Sequence, residues 1–377
     1  MKQNVLFASL LCVAIAVSSC NSTETTKTTT PGSDSTNAPD ASKSATTDLE
    51  PKGPDPEWGK DIDDEMLVVM EKLQSYGDKP IETLTPLEAR KNHTPTDAVM
   101  DVMREHNIPM PAPMVDTMGK DIPVQGGTVH ARIYTPKGGS APYPVIVYYH
   151  GGGWVIADLN TYDASAKGLA EQVGAIVVSV HYRQGPESKF PAAHNDAFAA
   201  YQWALQNAAG MNGDPKKVAV VGESAGGNLA CNVSIMARDK GIMVPLHQVL
   251  VYPIASNDMN SESYQKYAAA KPLNKPMMEW FAKHALNSMA EAADPRVSLV
   301  KANLKGLPAT TIIAAEIDPL ATDGKMLSDK LKDAGVDVDY KMYDGVTHEF
   351  FGMATVVPDA KDAQAKAAAN LKKAFGK

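Results

Sequence analysis

A serine set among small residues, Gly222-Glu223-Ser224-Ala225-Gly226-Gly227, directly follows the apolar run 218–221. A hydroxyl there serves as a nucleophile only if a base takes its proton and donors hold the oxyanion formed on attack. The pattern G-x-S-x-G recurs by chance, so a plain strand-to-helix turn competes with the nucleophile reading until partners are found elsewhere. Three further stretches supply them. His150-Gly151-Gly152-Gly153-Trp154 follows the apolar run 143–149, and consecutive glycines let backbone N–H groups converge on one point, as a developing oxyanion requires. Asp318 follows ATTIIAAEI, and His348 lies in GVTHEFFG, one helix and one strand further on. An imidazole oriented by a carboxylate is the base such a serine needs.

These residues do chemistry together only if the chain brings their segments to one edge. Segments 143–149 and 175–182 are near-continuous apolar runs suited to strands buried on both faces, and 218–222, 247–253, 309–318 and 336–344 continue the series. Helical patterns at 161–173, 192–208, 224–240, 324–334 and 360–375 separate them. Strands alternating with helices predict βαβ units and a mostly parallel α/β sheet, whose functional loops follow the carboxyl ends of its strands. Earlier in the chain, 129–134 alternates apolar and polar after Gly126-Gly127, which predicts an antiparallel pair, and two helices are predicted over 61–75 and 96–106. The methionines at 66, 70, 100, 103, 110, 114 and 118 are read as core in preference to a pliable apolar site.

The candidate residues have rivals. Of nine histidines, His93, His106, His130, His247 and His284 fall on helix, strand or approach segments and read as surface or packing residues. His181 and His194 are weaker alternatives to His348, and His150 is expected to hold the glycine loop through its side chain. Asp323 rivals Asp318 as the acid but falls on the predicted helix start. Glu223 reads as a supporting or turn residue, and Gly153 as part of the loop. Ala225 opens a helix, so its N–H is expected to join those of Gly151 and Gly152 as oxyanion donors.

Composition bounds the remainder. The 377 residues carry a formal net charge of −8, so there is no basic excess of the kind that nucleic-acid binding needs. Residues 1–19 have a lysine, an apolar run and small residues, as a secretory signal peptide does. The boundary Val17-Ser18-Ser19-Cys20 resembles the lipobox of bacterial lipoproteins, which implies lipidation at Cys20, export to the periplasm or cell envelope, and a membrane anchor. Residues 20–52 are rich in Ser, Thr, Pro, Asp and Ala, a composition that buries too little to fold, so they read as a disordered tether. Thirty such residues reach roughly 30 Å as a flexible coil. Cys231, the one cysteine outside the leader and the lipobox, reads as a small buried helix residue.

Taken together, HGGGW, GESAGG, DPLATDG and GVTHEFFG resemble the bacterial hormone-sensitive-lipase family of esterases, within the α/β-hydrolases. The resemblance extends to HYRQGPESKFPAAHNDAFAAYQW (181–203) and ADPRVSLVKANLKGLPATTIIAAEIDPL (293–320), and covers the chain from about Trp58 onward. It implies an α/β-hydrolase core over 119–255 and 300–377, N-terminal cap helices over 53–118 and an inserted cap segment over 256–299, with a cap helix at 272–286. It also implies a Ser224-Asp318-His348 triad, a small-molecule ester substrate, no metal and no organic cofactor. The chain departs from the family at His181, where an acid is usual before Tyr-Arg, and at Gln184-Gly185, where Leu-Ala is usual. The expected activity is hydrolysis of short- to medium-chain acyl esters. A lipase, a polysaccharide deacetylase and a non-catalytic ligand-binding relative are the competing readings, and the oligomeric state is left open.

Overall fold

The computed structural model describes residues 49–377, so the signal segment, Cys20 and most of the tether lie outside the described residues. Among the described residues three α-helices precede the sheet: α1 (Asp64–Ser75), α2 (Pro86–Ala89) and α3 (Pro95–Glu105). α2 and α3 each open on a capping box, Thr85 with Glu88 and Thr94 with Asp97, and each has a proline in its first turn. Each side chain thereby accepts the backbone N–H of the other residue, which sets where these short helices start.

A hairpin of β1 (Val115–Val124) and β2 (Gly127–Pro136) follows, turning through Gln125 and Gly126, where Gly126 takes the left-handed φ of 82°. Then come β3 (Tyr143–Tyr149), α4 (Asp163–Val173), β4 (Ile176–His181), α5 (Ala192–Asn207), β5 (Gly213–Glu223), α6 (Ala225–Asp239) and β6 (Gln248–Val251). The chain continues through α7 (Glu262–Lys266), α8 (Lys275–Ala285), β7 (Thr310–Ile317), α9 (Ala321–Asp333), β8 (Val338–Thr347) and α10 (Pro358–Phe375).

Among the described residues the strands form one eight-stranded sheet in the order β1-β2-β4-β3-β5-β6-β7-β8. β2 pairs antiparallel with β1 and β4, and every pairing from β4 to β8 is parallel. Such a sheet is covered on both faces, which is why β3 is apolar throughout. Val145, Val147 and Tyr149 pack with α5, α6 and α9, whereas Ile146 and Tyr148 pack with α1, α3, α4 and α10. α8 joins the first of these clusters through Met277, Trp280 and Phe281.

Two expected boundaries shift. Leu49 is buried, and the Glu71 carboxylate accepts the N–H of Lys52 at 2.8 Å and of Gly53 at 2.8 Å, so the packed chain begins ahead of residue 53. β1 starts at Val115, so the boundary expected after 118 falls inside a strand. The methionines also divide. Met66, Met70 and Met103 are core, but Met100, Met110, Met114 and Met118 are exposed. Met118 lies on β1, an edge strand whose residues 116–121 are all exposed, so its apolar side chain has no second layer to enter.

Candidate active site

β5 ends at Glu223 and α6 begins at Ala225, leaving Ser224 alone in the turn with φ 55° and ψ −118°. A non-glycine residue held in such a conformation costs about 1–3 kcal/mol, so its surroundings must over-determine it. The Ser224 N–H donates to the Val251 carbonyl at 2.8 Å, and the Ser224 carbonyl accepts from Asn228 at 3.1 Å and Ile254 at 3.3 Å. The flanking glycines are sterically required. A Cβ on Gly222 would lie 2.0 Å from the Gly226 carbonyl oxygen, and one on Gly226 would lie 2.0 Å from that of Tyr149.

The register of β7 against β8 pairs Ile317 with Thr347, so the residues that follow, Asp318 and His348, leave adjacent strand ends side by side. His348 Nδ1 is 2.7 Å from Asp318 Oδ2, and His348 Nε2 is 3.0 Å from Ser224 Oγ. The other Asp318 oxygen accepts the Leu320 N–H at 2.8 Å, which fixes the carboxylate. Burial works to lower the His348 pKa, but the charge and hydrogen bond of Asp318, with Glu349 and Glu223 adding, outweigh it and raise the pKa.

The rivals are placed elsewhere. Asp323 is fully buried and accepts the N–H groups of Ala255 at 2.9 Å and Ser256 at 2.7 Å, so it anchors the chain leaving β6. Burial pushes its pKa up to about 7. His194 is buried against Asn228 Oδ1 at 3.1 Å, and His247, also buried, meets Thr311 Oγ1 at 2.8 Å, so His247 is a packing residue. Cys231 is buried on α6, and burial pushes its thiol up to about 12, which leaves it unreactive.

The glycine loop is held from beneath. Burial lowers the His150 pKa to about 3, so the ring is neutral; its Nδ1 faces the Gly151 carbonyl at 2.8 Å and must carry the proton. His150 Nε2 is then the acceptor for His181 Nδ1 at 3.3 Å, so the histidine standing where an acid is usual completes a neutral pair under the loop. The Tyr182 hydroxyl donates to the His150 carbonyl at 2.8 Å. Gln184, the second departure, donates to the Ile156 carbonyl at 2.6 Å, and a Cβ on Gly185 would lie 2.5 Å from the His284 carbonyl oxygen at the end of α8.

Gly152 and Gly153 take left-handed φ of 92° and 58°, and a Cβ on Gly153 would lie 2.3 Å from the Phe281 ring. Among the described residues the N–H groups of Gly151, Gly152 and Ala225 donate to no protein acceptor, which leaves them available to a ligand oxygen.

Four residues that sequence reasoning did not single out complete the site. Glu223 accepts short hydrogen bonds from the hydroxyls of Tyr148 and Tyr252, and the Tyr252 ring lies 4.4 Å from that of His348. Burial and the charge of Glu349 push the Glu223 pKa up to about 7. The Tyr162 hydroxyl donates to Glu349 Oε1 at 2.6 Å, and that oxygen is 3.9 Å from His348 Nε2. The only sequence signal for this set was an acid immediately after the histidine.

Ser224 and His348 line a cavity of about 1130 Å³. Its lining includes apolar Ile254, Leu273, Met277 and Phe281 as well as polar or charged Asp78, Lys79, Asp158, His181 and Lys271. Among the described residues no group of three His, Cys, Asp or Glu side chains is placed to hold a metal ion, and no helix is long and apolar enough to cross a membrane.

A serine in the turn between β5 and α6, with an aspartate and a histidine following the ends of β7 and β8 and free N–H groups on the glycine loop, is the arrangement of a serine hydrolase built on an α/β sheet. A family profile described as the alpha/beta hydrolase fold matches residues 146–352. The chain is 37% identical over 259 residues to Carboxylesterase NlhH of Mycobacterium tuberculosis, covering 68% of this chain and 79% of that protein. It is 32% identical over 242 residues to an ethyl acetate hydrolase of Pseudomonas putida, covering 63% of this chain and 76% of that one. Among solved structures, the esterase of the archaeon Pyrobaculum calidifontis superposes with a TM-score of 0.73 at 33% identity, covering 81% of this chain and 96% of its own. A thermostable esterase from Pseudomonas putida superposes with a TM-score of 0.76 at 29% identity, covering 83% and 98%. The chain belongs to the α/β-hydrolase family, among its hormone-sensitive-lipase-like esterases.

Proposed function

We propose that Ser224, His348 and Asp318 are the catalytic triad of this enzyme, that Gly151, Gly152 and Ala225 donate to the oxyanion, and that the substrates are short- to medium-chain acyl esters. The enzyme is a serine carboxylic-ester hydrolase. The observation that carries the site assignment is the hydrogen-bond chain Ser224 Oγ to His348 to Asp318, whose serine and histidine line the large cavity.

In the first half-reaction His348 Nε2 takes the Ser224 proton as Oγ attacks the ester carbonyl. The free N–H groups hold the oxygen that becomes charged. Collapse of the tetrahedral intermediate expels the alcohol, which takes the proton from His348. Water then attacks the acyl-enzyme with His348 again as base, and the acid and free Ser224 are released. Asp318 keeps Nδ1 protonated and stabilises the imidazolium.

The chain-length reading rests on the wall of the cavity. Each methylene buried against Leu273, Met277 and Phe281 is worth about 0.8 kcal/mol. Methylenes that meet the charged part of the lining, such as Asp78, Lys79 and Lys271, gain little, so affinity stops rising once the apolar stretch is filled. The ethyl acetate hydrolase among its relatives acts, by its name, on a short ester, which supports the same reading. A panel of p-nitrophenyl esters from acetyl to palmitoyl tests it: the maximum is expected at short or medium chains, and a maximum at palmitoyl would establish a lipase instead.

We also propose that the enzyme is exported and anchored to a bacterial membrane through a lipid on Cys20. The support is the pattern of residues 1–20 alone. Cys20→Ala is expected to release the protein from the membrane fraction, and unchanged partitioning would refute the anchor.

A further inference from the structure

We propose that Glu349 is a positioning residue for His348: a second carboxylate on the Nε2 side of the ring that favours the imidazolium formed during acyl transfer, held in place by Tyr162. This rests on the esterase reading above and adds a residue to it. Glu349 follows the histidine directly, with φ 72° and ψ 0°, a left-handed conformation that favours glycine. A side chain kept at such a position beside an active site is a reason to ask what it does.

Its Oε1 lies 3.9 Å from His348 Nε2, beyond hydrogen-bond range, so it does not displace Ser224 Oγ, which stands at 3.0 Å. It acts through charge. Asp318 faces Nδ1 and Glu349 faces Nε2, so the proton that arrives from Ser224 enters a ring with a carboxylate on either side; His348 and Asp318 are buried and Glu349 is 19% exposed, so these charges are screened less than at the surface. The same charge would oppose an oxyanion on the glycine loop. Tyr162 answers this, because its hydroxyl donates to Glu349 at 2.6 Å and also lies 2.1 Å from where a Cβ on Gly151 would be, at the loop itself.

The groups that bear on the pair from the other elements are acidic or phenolic. Glu223 stands behind Tyr148 and Tyr252, and the Tyr182 phenol feels the Glu349 charge. Burial raises the Glu349 pKa, and the positive charge of His348 and the Tyr162 hydrogen bond work against that rise.

The test is the pH dependence of kcat/KM for p-nitrophenyl acetate in wild type, Glu349→Gln and Glu349→Gly. Glutamine keeps an oxygen for Tyr162 but not the charge; glycine removes both and suits the left-handed backbone. If the charge matters, both variants move the acid limb to lower pH by about one unit, because the imidazolium has lost a partner. kcat on the plateau falls up to about tenfold, the equivalent of one pKa unit. An acid limb unmoved in both variants overturns the proposal. A shift in Glu349→Gly alone also overturns it, since that would assign Glu349 only to holding Tyr162. A wild type without hydrolysis would instead overturn the esterase reading on which the proposal rests.

Discussion

The two halves of the site are built from different materials. The glycine loop and the serine turn are made of backbone: Gly151, Gly152, Gly222 and Gly226 stand where a Cβ would meet another atom at 2.0–2.2 Å, and the useful groups are N–H donors. Opposite them, Asp318, His348, Glu223 and Glu349 are side chains held by other side chains. The backbone half therefore has its geometry locked to the packing of the protein, so altering it disturbs fold and chemistry together. The side-chain half is open to tuning, because one functional group can be changed while its neighbours stay in place.

That difference sets the expected size and character of each substitution. Asp318→Asn is expected to lower kcat by roughly 10⁴-fold with little change in Tm, because an amide fits the same space but no longer fixes the imidazole tautomer. A loss below tenfold would mean that another acid, Glu349 or Glu223, orients the ring. Gly151→Ala is expected to cost about 10²–10³-fold in kcat and also to lower Tm, since the added methyl must displace the Tyr162 hydroxyl. Wild-type activity in that variant, measured alongside thermal unfolding, would show that the loop is not the oxyanion site.

A smaller effect separates chemistry from packing. Burial lowers the His247 pKa from 6.5 to about 4. Below pH 6.5 the unfolded chain binds a proton that the folded protein refuses, so stability falls as pH drops from about 6.5 towards 4. His247→Gln is expected to lessen that fall in Tm without altering kcat, and an unchanged slope would contradict the assigned burial.

The backbone half was the legible one. Glycines at fixed places after apolar runs can be read without coordinates, because few other residues satisfy such turns, and Ser224 followed from its small neighbours. The parallel sheet was readable for a similar reason: strands covered on both faces are apolar at successive positions, as in YPVIVYY. The side-chain half was readable only in part. That Asp318 and His348 meet was expected from their order and spacing after strands, but Tyr162, Tyr148, Tyr252 and Glu349 meet through tertiary packing across 187 residues in the case of the Tyr162 to Glu349 bond, and no local pattern encodes that. Met118 was misread for a related reason, since the outer face of an edge strand looks in sequence like any other apolar position.

Intact-protein mass spectrometry after treatment with a fluorophosphonate tests the central claim most directly, because the reagent labels only a serine whose oxygen is activated. One adduct per chain is expected, mapping to Ser224 after digestion and absent from Ser224→Ala. An unlabelled wild type, or an adduct on any other residue, would contradict the assignment of Ser224 as the nucleophile.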